Sequence, residues 1–133
     1  MNALAEPRAA PPLPVRVEVI DAYDQRWPQA LELIDRLGHR RRLGIEDDWL
    51  PARRNLLVAF VGGQPAGHLS FRVEPVVELS PPPRRVRIEA HVDGCGVDDG
   101  YDKAAIFDQL HAAAHQRARQ LGIARLHASR CRD

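Results

Sequence analysis

Residues 56–71 read LLVAFVGGQPAGHLSF and contain two apolar runs that meet at a Gly-Gly pair. Two such runs around a glycine turn are typical of a β-hairpin, because glycine adopts the positive φ angles that tight hairpin turns require. The first run covers 55–61 and the second covers 66–73. The stretch therefore predicts two neighbouring antiparallel strands near the middle of the chain.

On either side of this hairpin, alternation of apolar and charged residues predicts further strands, and apolar stripes at helical spacing predict two helices. Gly38 and Gly122 follow the two helical stripes and are expected to end them. The predicted segments are strands at 15–20, 55–61, 66–73, 85–92 and 123–130, helices at 27–37 and 103–121, and loops at 75–83 and 93–102. With a further short helix allowed in the charged stretch 39–54, the order is β-α-(α)-β-β-β-α-β.

Length and composition predict one globular domain. The chain has 133 residues, of which 44% are hydrophobic and 28% charged, and its net charge is +1. This balance argues against nucleic acid and membrane as partners. We expect residues 1–14, rich in Ala and Pro, to be a disordered tail and 15–133 to form the domain. Without an export signal and with only two cysteines, a cytoplasmic location is expected.

The hairpin and the longer helix together resemble the GNAT superfamily of N-acetyltransferases. The hairpin 56–71 is similar to the central hairpin of that family, and Ile106, Leu110 and Leu121 match its long helix in spacing. The similarity covers residues 15–130. It implies an α/β fold: a single GNAT-like domain with a mixed, mostly antiparallel central sheet and helices on both faces. It also implies that the chain is C-terminally short, because the family continues with a helix and two more strands.

The resemblance implies a site for acetyl-CoA and a general base. The backbone of the fourth strand would hold the pantetheine arm and the thioester carbonyl, and the start of the long helix would bind the pyrophosphate. The implied cofactor-binding residues are Val92, Gly94, Gly96, Lys103, Ala104 and Ala105. Glu89 and His91 are the implied catalytic residues, since either could take a proton from an acceptor amine. The alternative is that Glu89 and His91 are ordinary solvent-facing residues of a half-buried strand.

The phosphate-binding loop departs from the family pattern in charge and in size. Asp102 stands where the family has a basic or amide side chain, and Asp98 and Asp99 add two more carboxylates. Lys103 and Ala105 replace glycines, and Phe107 replaces a small residue. Because like charges repel at short range, we expect this loop to disfavour a pyrophosphate, and no cofactor is expected unless the chain is an acetyltransferase.

Three functions follow as hypotheses. The first is a GNAT-like binding or assembly module without acetyl transfer, and the second is an acyl-CoA-dependent N-acetyltransferase completed by dimerisation. In either case a homodimer or a protein partner is expected to cover the edge strand 123–130.

The third hypothesis is a small metal- or redox-linked protein. It would use His111 and His115, four residues apart on one helix, with His91 or Cys95 as a further ligand, or Cys95 paired with Cys131. Spacing alone is weak support, so we expect no metal site and two free thiols.

Overall fold

The computed structural model describes residues 14–45, 50–51, 53–78 and 85–128. The elements are β1 (Val15–Ile20), α1 (Trp27–Arg36), β2 (Arg54–Val61), β3 (Gln64–Glu78), β4 (Arg85–Val97), α2 (Lys103–Gln120) and β5 (Arg125–His127). All but Pro14 of the expected tail lies outside the described residues. In the described part, no helix is long and apolar enough to cross a membrane.

The sheet has the order β1-β2-β3-β4-β5. The pairs β1–β2, β2–β3 and β3–β4 are antiparallel, and β5 is parallel to β4. The predicted central hairpin is confirmed: Val61 pairs with Gln64 across Gly62 and Gly63, whose φ angles are 57° and 80°. A parallel last strand requires a crossover, and α2 provides it.

The two helices lie on opposite faces of the sheet, and this arrangement explains the uninterrupted apolar run of β2. Leu56 and Val58 pack against the α1 side, whereas Leu57 and Ala59 pack against the α2 side. A strand that is buried on both faces does not alternate. The predicted α/β class, with helices on both faces of a mostly antiparallel sheet, is confirmed.

Two predicted loops are partly strand. β3 continues to Glu78 and β4 continues to Val97, so the loop expectations are wrong over 75–78 and 93–97. Pro75 is tolerated because the Val73 N–H, two residues earlier on the same side, donates to Arg53 just before β2 begins. β2 does not run alongside β3 beyond Val73, so the N–H that Pro75 lacks would have no partner in β2.

The charged stretch after α1 contains turns in its described part, 39–45, rather than the additional helix that the sequence allowed. Gly44 has a φ angle of 65° and interrupts any helical continuation. Strand β5 begins at Arg125, two residues after the predicted start at 123, and 129–130 of the predicted strand lie outside the described residues. Trp27 is buried at the start of α1, while Trp49 lies outside the described residues.

Candidate functional site

Strand β4 contains a bulge that changes the direction of its second half. Ser70 of β3 pairs with Gly94 and the next residue, Phe71, pairs with Val92, so Asp93 is an extra residue in β4. The Ser70 hydroxyl donates to the Asp93 carboxylate at 2.7 Å. A bulge bends its strand and increases the local twist. The second half of β4 is therefore redirected relative to its neighbours.

An ion pair holds this bulge in place. The guanidinium of Arg54 lies 2.5 Å from the Asp93 carboxylate, and both side chains are largely buried. Arg72 approaches the same carboxylate at 3.4 Å but is half exposed. Burial lowers the pKa of Arg54, and the charge of Asp93 acts in the opposite direction. No local sequence pattern predicts this pair, because its two members lie far apart along the chain.

Strands β4 and β5 pair over three residues. Glu89 pairs with Arg125, and two residues later His91 pairs with His127. Past His127 the structure describes only Ala128, which is not paired with β4. We call the end of the described pairing, at His91 and His127, the fork.

Three polar side chains meet at the fork. The rings of His91 and His127 stack with centroids 4.6 Å apart and planes 11° apart. His127 Nε2 lies 3.2 Å from the Glu89 carboxylate, which is buried. The structure thus brings together Glu89 and His91, the two residues that sequence implied as catalytic. It adds His127, which the sequence analysis missed and which the parallel register of the two strands would have revealed.

Gly94 and Gly96, implied as cofactor-binding residues, have a packing reason to lack side chains. A Cβ on Gly96 would lie 2.6 Å from the ring of His39, and one on Gly94 would lie 3.0 Å from Leu43. The segment after α1 therefore packs directly on this part of β4. The Val92 side chain belongs to the core on the α2 side. A role for the backbone of these residues in holding a cofactor stays a prediction.

The N-terminus of α2 is capped by the protein itself. The Asp102 carboxylate accepts a hydrogen bond from the Ala105 N–H at 3.1 Å. Lys103 forms an ion pair with Asp99 at 3.3 Å. Ala104 and Ala105 are exposed. The implied pyrophosphate site therefore already holds a carboxylate.

Asp98, the remaining carboxylate of this loop, is also paired. Its side chain binds Arg36 of α1 at 2.8 Å. This contact joins the end of β4 to the C-terminal end of α1, because Arg36 is the last residue of that helix. Asp98 and Asp99 are thus each paired with a basic group of the same chain.

His111, His115 and Cys95, the residues of the metal or redox hypothesis, lie in different environments. Burial lowers the pKa of His111, and the neighbouring His115 adds to this effect. Neither belongs to a group of three possible metal ligands in the described chain. Cys95 is buried within β4 and is bonded in a disulfide, so the expected free thiol is wrong at this position. Its expected place in a loop after the fourth strand is also wrong, because β4 continues to Val97; Cys131 lies outside the described residues.

Comparisons with solved structures find acetyltransferases. The chain is similar to an aminoglycoside acetyltransferase from an uncultured soil metagenomic sample, with 17% identity, a TM-score of 0.65, and coverage of 87% of this chain and 77% of that one. A ribosomal-protein-alanine N-acetyltransferase from Brucella melitensis gives 19% identity, a TM-score of 0.61, and coverage of 90% and 82%.

The aminoglycoside 6'-N-acetyltransferase of Acinetobacter baumannii is a third such structure, with 17% identity, a TM-score of 0.54, and coverage of 90% and 82%. No protein-family model matches the sequence, and no curated protein sequence does so either. Identities this low establish the architecture and leave the activity to the residues of the site. The chain has the fold of the GNAT acetyltransferases.

Proposed function

We propose that this chain is a GNAT-fold binding or assembly module that does not transfer acetyl groups. The observation that carries the proposal is the Asp102 carboxylate at the N-terminus of α2, where it accepts the Ala105 N–H. In the GNAT fold this helix end is expected to receive the pyrophosphate of acetyl-CoA. Here one of its N–H groups is already bonded to an anion of the protein.

Two electrostatic effects disfavour a pyrophosphate at this helix end. The positive end of a helix favours one negative group, and a capping Asp supplies that group at no entropic cost of binding. A pyrophosphate arriving at the same place would face Asp102 at short range, where like charges repel strongly. Lys103, the basic residue at the start of the helix, forms an ion pair with Asp99. These contacts support a helix end that disfavours acetyl-CoA.

The partner proposed for this module binds the outer edge of β5. Among the described residues, β5 pairs with β4 on one side and no strand pairs with its other side. An open edge offers backbone groups to which another chain can add a strand. We propose a second copy of this chain as that partner, giving a homodimer. Light scattering on the purified protein tests this proposal, and a monomer at high micromolar concentration contradicts it.

The experiment that tests the proposed function is a calorimetric titration with acetyl-CoA. We expect no binding heat up to millimolar ligand with the natural sequence. The variant Asp102→Arg, alone and combined with Phe107→Ala, is expected to acquire measurable affinity, because it restores positive charge at the helix end. Asp108→Arg is the matched control, since it makes the same charge change further along α2.

The outcomes are distinct. Micromolar binding by the natural sequence, about −8 kcal/mol, contradicts the proposal. Equal gains from Asp102→Arg and Asp108→Arg show that net charge, rather than the helix end, controls the affinity. Circular dichroism establishes that each variant is folded before it is compared.

A second candidate, an acyl-CoA-dependent N-acetyltransferase, is favoured by the fork. Glu89 and His91 lie at the end of the described pairing of β4 with β5, and a carboxylate or imidazole there could accept the proton of an attacking amine. The amine nitrogen would then form the amide bond as the thioester carbon–sulfur bond breaks and CoA thiolate leaves. Thiol release from acetyl-CoA with a panel of primary amines tests this candidate. Release that Glu89→Gln abolishes supports it.

A further inference from the structure

The three side chains at the fork form a set that suits a metal ion. Glu89 and His91 are two residues apart on β4, so both point to the same face of the sheet. His127 is the direct neighbour of His91 on β5. One possible ligand atom from each residue lies within 4.8 Å of the other two. Two parallel strands therefore bring one carboxylate and two imidazoles to a single point.

The distances are close to those that coordination requires. Four ligands arranged tetrahedrally about 2.1 Å from zinc are about 3.4 Å apart. The Glu89 Oε2 to His127 Nε2 distance is 3.2 Å, which already fits one edge of that tetrahedron. The His91 and His127 rings are stacked 11° from parallel, so coordination requires one ring to rotate out of the stack until its lone pair points to the ion.

The surroundings favour a bound cation and let it enter. The Glu89 side chain is 10% exposed, so a cation would offset the cost of burying its charge. Its other oxygen forms an ion pair with Arg87 at 3.7 Å, which is beyond hydrogen-bond distance, and Oε2 lies on the His127 side. The His127 side chain is 38% exposed, so solvent reaches the cluster.

We propose that Glu89, His91 and His127 bind a divalent first-row transition ion, with Zn²⁺ as the ion of choice. Two imidazoles and one carboxylate are a ligand set that zinc accepts, with water in the fourth position. The proposal is independent of the proposed function, because it rests on the fork and not on the N-terminus of α2. It gives a GNAT-fold domain a binding site on the paired residues of β4 and β5.

The test is a calorimetric titration of the chelator-treated, dialysed full chain with ZnCl₂, without thiol reductants. We expect one site with micromolar affinity. His127→Gln and Glu89→Gln are each expected to weaken binding about 100-fold or more, since loss of a residue that only orients a ligand already costs about 10- to 100-fold. The matched control is the double variant His111→Gln and His115→Gln, which removes the other closely spaced histidine pair and is expected to bind as the natural chain does.

A spectroscopic measurement provides a second readout. Co²⁺ in place of Zn²⁺ gives visible absorption bands whose intensity reports four-coordinate nitrogen and oxygen ligation, and these bands are expected to disappear in His127→Gln. Absence of micromolar Zn²⁺ binding overturns the proposal. Loss of binding in the His111→Gln and His115→Gln variant, with His127→Gln unaffected, also overturns it, because the ion would then bind on α2.

Discussion

The ion pair at the β4 bulge gives a prediction whose size follows from burial. The Arg54 side chain is 9% exposed and that of Asp93 is 18% exposed, so little water screens the pair. Arg54→Met keeps the aliphatic stem and removes the charge. It leaves Asp93 with the Ser70 hydroxyl and with Arg72, which is 51% exposed.

The expected loss in free energy of unfolding is about 3 kcal/mol. Breaking a buried pair by removing one partner costs about 3–5 kcal/mol, because it leaves a buried charge without compensation. Ser70 and Arg72 still contact Asp93, and we therefore take the lower end of that range. For a domain of this size the melting temperature falls by roughly 10 °C.

Urea unfolding at pH 7, followed by circular dichroism, measures this loss. Arg72→Met is the matched control: it also removes a guanidinium beside Asp93, but an exposed pair contributes at most about 1 kcal/mol. The double variant Arg54→Met, Asp93→Asn removes both charges. We expect its loss in free energy of unfolding to be smaller, by at least about 1 kcal/mol, than the sum of the losses in the two single variants. Equal losses in Arg54→Met and Arg72→Met would refute the reasoning, since burial would then have no effect.

Three further predictions concern stability. Asp102→Ala is expected to lower the free energy of unfolding by about 1 kcal/mol through loss of the helix cap, whereas Asp102→Asn keeps most of it; urea unfolding distinguishes the two. Gly96→Ala is expected to cost about 1–3 kcal/mol, because the added methyl carbon would lie 2.6 Å from His39, and thermal unfolding measures it. Burial of His111 lowers its pKa from 6.5. The imidazole of His111 is therefore protonated at a higher pH in the unfolded chain than in the folded chain. The stabilising contribution of neutral His111 is present above about pH 6.5 and is lost as the pH falls through the folded-state pKa. Unfolding at pH 8 and pH 5 is expected to show a smaller difference in His111→Gln than in the natural chain.

The architecture was predictable because its signals are local. The hairpin 56–71 carries its own turn, and α2 carries its own apolar stripe and terminating glycine. Such patterns depend on neighbours along the chain, so they survive without knowledge of the tertiary structure. Few strand orders are compatible with these elements, and a core on both faces of the sheet follows from them.

What the sequence analysis missed depends on contacts between distant residues. The glycines of 93–97 suggested a loop, but Gly96 is part of β4 and lacks a side chain because His39 packs on it. His127 becomes part of a cluster only through the parallel register that sets it beside His91. Neither contact leaves a periodic pattern, since each joins residues far apart in sequence.

The zinc proposal and the acetyltransferase candidate make competing demands on Glu89. A carboxylate oxygen that coordinates a cation is not available at the same time to take a proton from an amine. If the chain transfers acetyl groups, thiol release by chelator-treated protein will therefore stop when one equivalent of Zn²⁺ is added. If the chain is the module proposed above, no thiol is released with or without the metal, while zinc still binds. Equal thiol release with and without Zn²⁺ would contradict the binding-module proposal, because the chain would then transfer acetyl groups. It would also contradict the zinc proposal, because no ion would then occupy Glu89 at the fork.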